Sequence, residues 1–433
     1  MRRKKTKGRK KRRLRLAWIV LLSTIFFIAV KKTGKDTADE EDAKSAKEVK
    51  NFVTNEMSDF PELEGMDNQI ENFLKKWHIN GATVAIVRND SLVYAKGYGW
   101  ADKECEIRME PYHIMRVASV SKLITAAGIM VLQDQGKLTI QDKVFGPEGI
   151  LNTDFFNSLT ECDPRYNDIT VEDILRHRGG FYRDPVFSSI DVQMQMRLDH
   201  PPTKEDFFTL VLGTKMKAPA GEKKKYSNFG YIVLSEIIEK VSGQKYEDFI
   251  NEHVMKPAGC YDTHIGGIYY KDKRDNEVRY YTHEGDGKYM PDFRNPKDSV
   301  ERSYGGTNLP LLSGAGAWCC SPIELARFVA SINGNETLPD IISEKGIKQM
   351  TEHHEGAFSL GWNDTHPKHG WSRTGNLAGT SALVHHYPDG ECWVFVTNTS
   401  TYRGYRFSSN IESLISECRS QYSSRLPDQN LFE

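Results

Sequence analysis

The 433-residue chain contains no C-x-x-C pair, no H-E-x-x-H and no G-x-S-x-G, and it shows no internal repeat. These absences remove zinc knuckles, thiol redox motifs, zincins and lipase-type nucleophile elbows from consideration. The seven cysteines (Cys105, Cys162, Cys260, Cys319, Cys320, Cys392, Cys418) are scattered and odd in number, and Cys319-Cys320 reads as a pair of small buried residues. Acidic residues are missing from the first 32 positions, which hold 13 Lys/Arg. The remaining chain carries 45 Lys/Arg against 59 Asp/Glu, a formal charge of −14 hidden by the overall −1. So acidic a body lacks the clustered cations that phosphate backbones require, which excludes nucleic acid as a partner.

The basic head flanks one apolar run, Leu16–Val30. As a helix it reaches about 22 Å, short of the roughly 30 Å hydrocarbon core, though Arg15 and Lys31 can snorkel. No small-x-small cleavage site follows it. Residues 1–32 are therefore expected to be a membrane anchor, with a signal peptide or an organellar transit segment as the alternatives, and the acidic body to lie on the non-cytoplasmic side. For a bacterial cell that side is the periplasmic face of the inner membrane. Residues 33–65, rich in Lys, Asp, Glu, Ala and Ser, read as a charged tether, partly helical around Ala43–Val53.

The folded domain is expected over 66–433. Ile70, Phe73, Leu74 and Trp77 recur at helical spacing. Ala82–Val87 and Leu92–Tyr98 read as a hairpin about Asn89-Asp90, and Ser381–Tyr387 with Cys392–Asn398 as a second about Pro388-Asp389-Gly390. Val117–Gln135 is a helix apolar on nearly every face, which belongs at the centre of a protein. Val171–His177 and Tyr231–Val241 are further helices, and Ser408–Tyr422 closes the chain. Strands at both ends with helices between predict an α+β fold: one antiparallel sheet built from both termini, flanked by helices, with a mostly helical insertion. The Tyr-rich runs Ile268–Tyr270 and Val278–Thr282, about a charged turn, suggest a hairpin that is either a lid or plain surface.

Three strings carry chemistry: Ser119-Val120-Ser121-Lys122, Tyr226-Ser227-Asn228 and Arg373-Thr374-Gly375. A Ser-x-x-Lys match alone arises by chance on the order of once or twice in such a chain, so context decides. Ser119 and Lys122 stand at i and i+3 and share a helix face. At the helix start the Ser119 N–H lacks an intrahelical acceptor and is free for an oxyanion. A lysine in apolar surroundings and near other cations loses its proton more readily and can serve as the base a serine needs. Tyr226 can relay protons, and Asn228 can bond Lys122 and a substrate carbonyl. Arg373 offers a permanent cation for a substrate carboxylate or for lowering the Tyr226 and Lys122 pKa values. Thr374 adds a hydroxyl, Gly375 lets a substrate backbone come close, and the Asn376 N–H is the candidate second oxyanion donor.

With Ile169–Gly180 (ITVEDILRHRGG), Pro219–Gly243 through YSNFGYIVLSEIIEKVSG, Gly314–Phe328 (GAGAWCCSPIELARF) and Gly375–Ser381 (GNLAGTS), the chain resembles the serine beta-lactamase-related hydrolases. These include class C beta-lactamases, D-alanyl-D-alanine carboxypeptidases, esterases of that fold and the LACTB-like group. The resemblance covers roughly residues 67–420. It implies Ser119 as nucleophile, Lys122 and Tyr226 as acid/base pair, and no cofactor or metal. The expected activity is hydrolysis of an amide or ester in a small-molecule or peptide substrate through an acyl-Ser119 intermediate; the alternative is a non-catalytic sensor or scaffold of the same fold. Arg373 departs from the family's usual Lys or His, and Arg178-Gly179 from its commoner Thr-Ser.

Overall fold

The computed structural model describes residues 52–433 apart from Glu284, Asp286 and Glu336. The basic head, the apolar run and most of the tether lie outside the described residues. Among those described, no helix is long and apolar enough to cross a membrane. All seven cysteines are free thiols.

A seven-stranded antiparallel sheet organises the body. Its strands are β1 (Gly81–Arg88), β2 (Ser91–Asp102), β3 (Ile107–Arg108), β4 (Asp364–His366), β5 (Gly370–Leu377), β6 (Thr380–His386) and β7 (Glu391–Thr397), ordered β3-β2-β1-β7-β6-β5-β4. The two sequence-local hairpins meet at β1 and β7, in register from Ala82↔Thr397 to Arg88↔Glu391. Both strands read as unbroken apolar runs because both sheet faces are covered. Alternate side chains serve separate cores: Val84, Ile86, Trp393 and Phe395 on one face, Ala85, Val87, Val394 and Val396 on the other.

Helix α1 (Glu64–Trp77) and the last helix of the chain, α5 (Ser408–Tyr422), cover the first face through Met66, Ile70, Ile411 and Ile415. The second face is covered by α2 (Ser121–Asp134), α3 (Asn228–Ser242) and α4 (Pro322–Ala330), which belong to the helical insertion. Every residue of α2 from Ser121 to Leu132 is buried, as its all-round apolar pattern requires.

Two differences from the sequence reading have clear causes. The packed body begins at Val53, not near Met66. Val53 is buried, and the Asn55 side chain bonds Met109 O and Gly97 N–H, so the end of the tether joins the sheet edge. Nor do the Tyr-rich runs pair with one another. His264–Ile265 joins a small three-stranded sheet with Trp318–Cys320 and Met115–Arg116, and Tyr280 is drawn inside beneath Arg116. The local hairpin lies further on, between Tyr289–Pro291 and Ser299–Glu301.

Candidate active site

The chain enters α2 through a 3-10 turn, Ala118–Val120, with Ala118 at φ +48°, a left-handed conformation that a side-chain-bearing residue seldom adopts. This turn carries Ser119 at the helix start, partly exposed, while Lys122 one turn on is 0 % exposed. Strand β5 lies directly against the turn. A Cβ on Gly375 would stand 2.4 Å from Val117 O and 3.0 Å from Ser119 N. On its Cβ side the glycine therefore admits the protein's own nucleophile turn.

Lys122 Nζ donates to Ser119 Oγ at 3.3 Å, to Asn228 Oδ1 at 2.9 Å and to Ala315 O at 2.5 Å. The Ala315 carbonyl reaches it because Gly314 allows close approach: a Cβ there would lie 2.3 Å from Tyr231 O. The Tyr226 hydroxyl donates to Ser119 Oγ at 2.8 Å. Arg373, also 0 % exposed, donates from Nε to Ser119 O at 2.8 Å and from Nη2 to the Tyr226 hydroxyl at 3.0 Å. Its Nη1 is buried without a partner.

These cations act on one another. Burial first, then the Arg373 guanidinium, lowers the Lys122 pKa to about 8 against the pull of Tyr226. For Tyr226, burial raises the phenol, but Lys122 and Arg373 outweigh it and bring it down to about 8 as well. The two groups titrate as a pair in the same pH range.

Asn228 opens α3 beneath Ser227, whose side chain caps the helix at Gly230 N–H. Asp184 accepts from the N–H groups of Asn228 (2.5 Å) and Phe229 (3.2 Å), so a carboxylate sits at the positive end of the helix. His177, at φ +57°, stacks on the Tyr226 ring at 4.4 Å, and its Nδ1 accepts from Ser227 N–H at 3.0 Å. Burial, with Lys122 and Arg373 nearby, holds it well below the usual imidazole range, hence neutral. The ITVEDILRHRGG string was visible in the sequence, but nothing in it singled out His177, and Asp184 carried no signal.

Strand β4 pairs only with the beginning of β5, ending at Ser372↔Asp364. The antiparallel alternation turns the peptide groups of Ser372, Thr374 and Asn376 to this edge. Asn363 N–H takes Ser372 O, and Asn363 Oδ1 accepts from both Thr374 N–H and Oγ1. The Asn376 side chain is engaged by Ser408 and Ser381, and its N–H faces the edge beyond β4. The site thus gathers Ser119, Lys122, Tyr226, Asn228 and Arg373 in one bonded cluster, with Gly375 and the Asn376 N–H alongside.

A cavity of about 870 Å³ lies elsewhere, lined by His78, Trp100, Arg108, Arg279 and Tyr281 among others. Its lining includes none of Ser119, Lys122, Tyr226, Asn228 and Arg373, so the chemistry is assigned to the Ser119 cluster.

A family model described as Beta-lactamase matches residues 66–412. "Protein flp" of Staphylococcus aureus (strain MW2) is 29% identical over 212 residues, 48% of this chain and 40% of that protein; the chain spans well under two thirds of that relative. PbpX of Bacillus subtilis (strain 168), which carries a penicillin-binding protein's name, is 27% identical over 321 residues, 73% of this chain and 70% of that one. Among solved structures, the D-amino acid amidase from Ochrobactrum anthropi SV3 complexed with D-phenylalanine superposes with TM-score 0.63 at 16% identity, covering 84% of this chain and 99% of that chain. The octameric penicillin-binding protein homologue from Pyrococcus abyssi gives 0.59 at 21% identity, over 78% of this chain and 74% of that one.

Proposed function

Because the chain belongs to the beta-lactamase family of serine hydrolases, we propose that it cleaves an amide or ester through an acyl-Ser119 intermediate, with Lys122 and Tyr226 sharing the proton work. One observation carries this reading: the bonding pattern at Lys122. Its two shorter bonds go to Asn228 Oδ1 and Ala315 O, which can only accept, whereas its longest goes to a hydroxyl, which can also donate. Neutral Lys122 therefore keeps both short bonds and turns its lone pair on the Ser119 proton. The isomeric state, a Tyr226 phenolate beside an ammonium, accepts the same proton under the Arg373 cation.

Ser119 Oγ then bonds the carbonyl carbon, and the Ser119 and Asn376 N–H groups receive the developing oxyanion. The carbon–nitrogen or carbon–oxygen bond breaks, and the proton passes through Tyr226, 2.8 Å from Oγ, to the leaving group. Water attacks the acyl-enzyme by the reverse path. The name of the D-amino acid amidase supports amides of D-amino acids as the substrate class, with esters next. Arg373, tied to Ser119 O and Tyr226, serves the pKa values of the pair before any substrate carboxylate.

A fluorophosphonate is expected to add once, at Ser119, by intact mass and peptide mapping, and a D-alanyl amide to turn over. No adduct overturns the reading, and an acyl adduct that never clears reduces the protein to a sensor. The rate of labelling should rise with pH through about 8 as the pair sheds its proton. Arg373→Gln removes a cation that lowers both groups, so the midpoint should move up by about one pH unit; an unmoved midpoint refutes that role.

We also propose that Leu16–Val30, between its flanking cations, holds the enzyme at a membrane with the body on the non-cytoplasmic side. Recovery of the full chain in the soluble fraction after cell lysis would overturn this.

A further inference from the structure

The strand that leads into the Ser119 turn, Met115–Arg116, pairs with Trp318–Cys320, which pairs in turn with His264–Ile265. The register sets His264 opposite Cys319, and a parallel bridge between Ile114 and Glu277 brings the carboxylate alongside. One ligand atom from each of His264, Glu277 and Cys319 lies within 4.8 Å of the others. His264 Nε2 is 3.4 Å from Glu277 Oε2, and Cys319 Sγ is 3.9 Å from Glu277 Oε1. Around a tetrahedral ion with bonds of about 2.0–2.3 Å, such atoms stand about 3.3–3.6 Å apart, so the Glu277 carboxylate, whose two oxygens face His264 and Cys319 separately, must turn and the ligands draw inward on loading.

All three side chains are buried: His264 at 6 %, Glu277 at 3 % and Cys319 at 0 % exposure. Glu277 accepts from the Tyr280 hydroxyl and from Arg274 N–H, at 2.7 and 3.3 Å, but the other two are less fully engaged. His264 Nδ1 is buried with no hydrogen bond. The Cys319 sulfur has only long contacts, at 3.9 Å to Glu277 and 4.0 Å to Ala317 O and Tyr280. The Gly266 backbone packs closely against it, since a Cβ there would lie 2.8 Å from Sγ.

We propose that His264, Glu277 and Cys319 bind a borderline-soft divalent cation of the zinc type, a site separate from the Ser119 cluster. The Tyr280 hydroxyl, 2.7 Å from Glu277 Oε1 and 4.0 Å from Cys319 Sγ, is the group nearest a fourth position. Thiolate and imidazole in one set select zinc or cobalt over magnesium or calcium. Loading forms a metal–sulfur bond and releases the Cys319 proton to solvent. The adjacent Arg116 is engaged by Ser303 O and Gly267 O, and with Glu277 and Cys319 ionised the loaded cluster carries one net positive charge. The ligands are 13 and 42 residues apart, so no spacing in the sequence announces them. The ion would tie three distant segments together behind the strand that delivers Ser119.

Full-length protein, both as isolated and after refolding with one equivalent of Co²⁺, is the test material. Wild type should bind one ion with a thiolate-to-cobalt charge-transfer band, and Zn²⁺ should displace it and raise the melting temperature by about 3 °C. Cys319→Ser, nearly isosteric, should lose the band and weaken binding by more than about 100-fold, beyond what outer-shell partners usually contribute. A Cys105→Ser/Cys162→Ser control, lacking the exposed thiols, should keep it. Should Cys319→Ser fail to fold, Glu277→Gln takes its place, with the same loss of affinity expected. Absence of the band in wild type, its survival in Cys319→Ser, or wild-type cobalt affinity in Glu277→Gln overturns the site.

Discussion

Lys122→Met should slow fluorophosphonate labelling of Ser119 by about 10³–10⁴-fold while leaving the melting temperature within a few degrees of wild type. The kinetic loss follows because the methionine thioether fills the same space but can neither take nor return a proton. The small thermal effect follows from opposing terms. Removing a cation that is 0 % exposed relieves a desolvation cost of several kcal/mol and its repulsion with Arg373. Against this, Asn228 Oδ1 and Ala315 O lose their donor, at about 1–3 kcal/mol each. Ser119→Ala should show no adduct at all, and adding Lys122→Met to it should change nothing further, since the two act as one unit. Labelling of Lys122→Met within tenfold of wild type would remove lysine from the mechanism and leave Tyr226 as sole base.

Gly375→Ala has the second largest expected effect, through a different route. The new methyl would meet Val117 O at 2.4 Å, and both it and Ser119 N at 3.0 Å are backbone atoms that no rotamer change can move. Strand β5 and the nucleophile turn must separate, and overpacking of this kind costs about 3 kcal/mol. For a body of this size that is a fall of about 4 °C in melting temperature. The same separation lengthens the Arg373–Ser119 and Arg373–Tyr226 bonds, so labelling should fall as well. Thermal melts and labelling rates of Gly375→Ala beside Asn376→Ala make the comparison, because the latter keeps the backbone N–H. Wild-type stability in Gly375→Ala would show that the turn and strand are not in the contact described.

What could be read from the chain beforehand divides along physical lines. Features that depend on neighbours in sequence were legible. The closing helix falls at Ser408–Tyr422 as its periodicity indicates, and both hairpins form where their turns predict. The i, i+3 spacing of Ser119 and Lys122 implied a shared face, and the two atoms do meet at 3.3 Å. Features that depend on packing between distant segments were not. Ala315 supplies a carbonyl, which every residue has, so its place beneath Lys122 left no compositional trace. His177 is set by a ring stack and one N–H, and Asp184 by the start of a helix more than 40 residues on. Gly375 signalled close approach correctly, yet glycine does not say what approaches. The Tyr-rich runs about a charged turn suggested a hairpin, but Arg116 recruits Tyr280 into the interior, at 4.0 Å from its ring.

The seam between β1 and β7 joins residues more than 300 positions apart. On a ribosome adding about 5–20 residues each second, the first hairpin therefore waits for on the order of 15–60 s before its partner exists. In that interval β1 presents an unpaired apolar edge, and nothing local can satisfy it. Until β7 has been made, the first hairpin can close its edge only by pairing with something foreign, so the long delay built into this seam exposes the growing chain to mispairing.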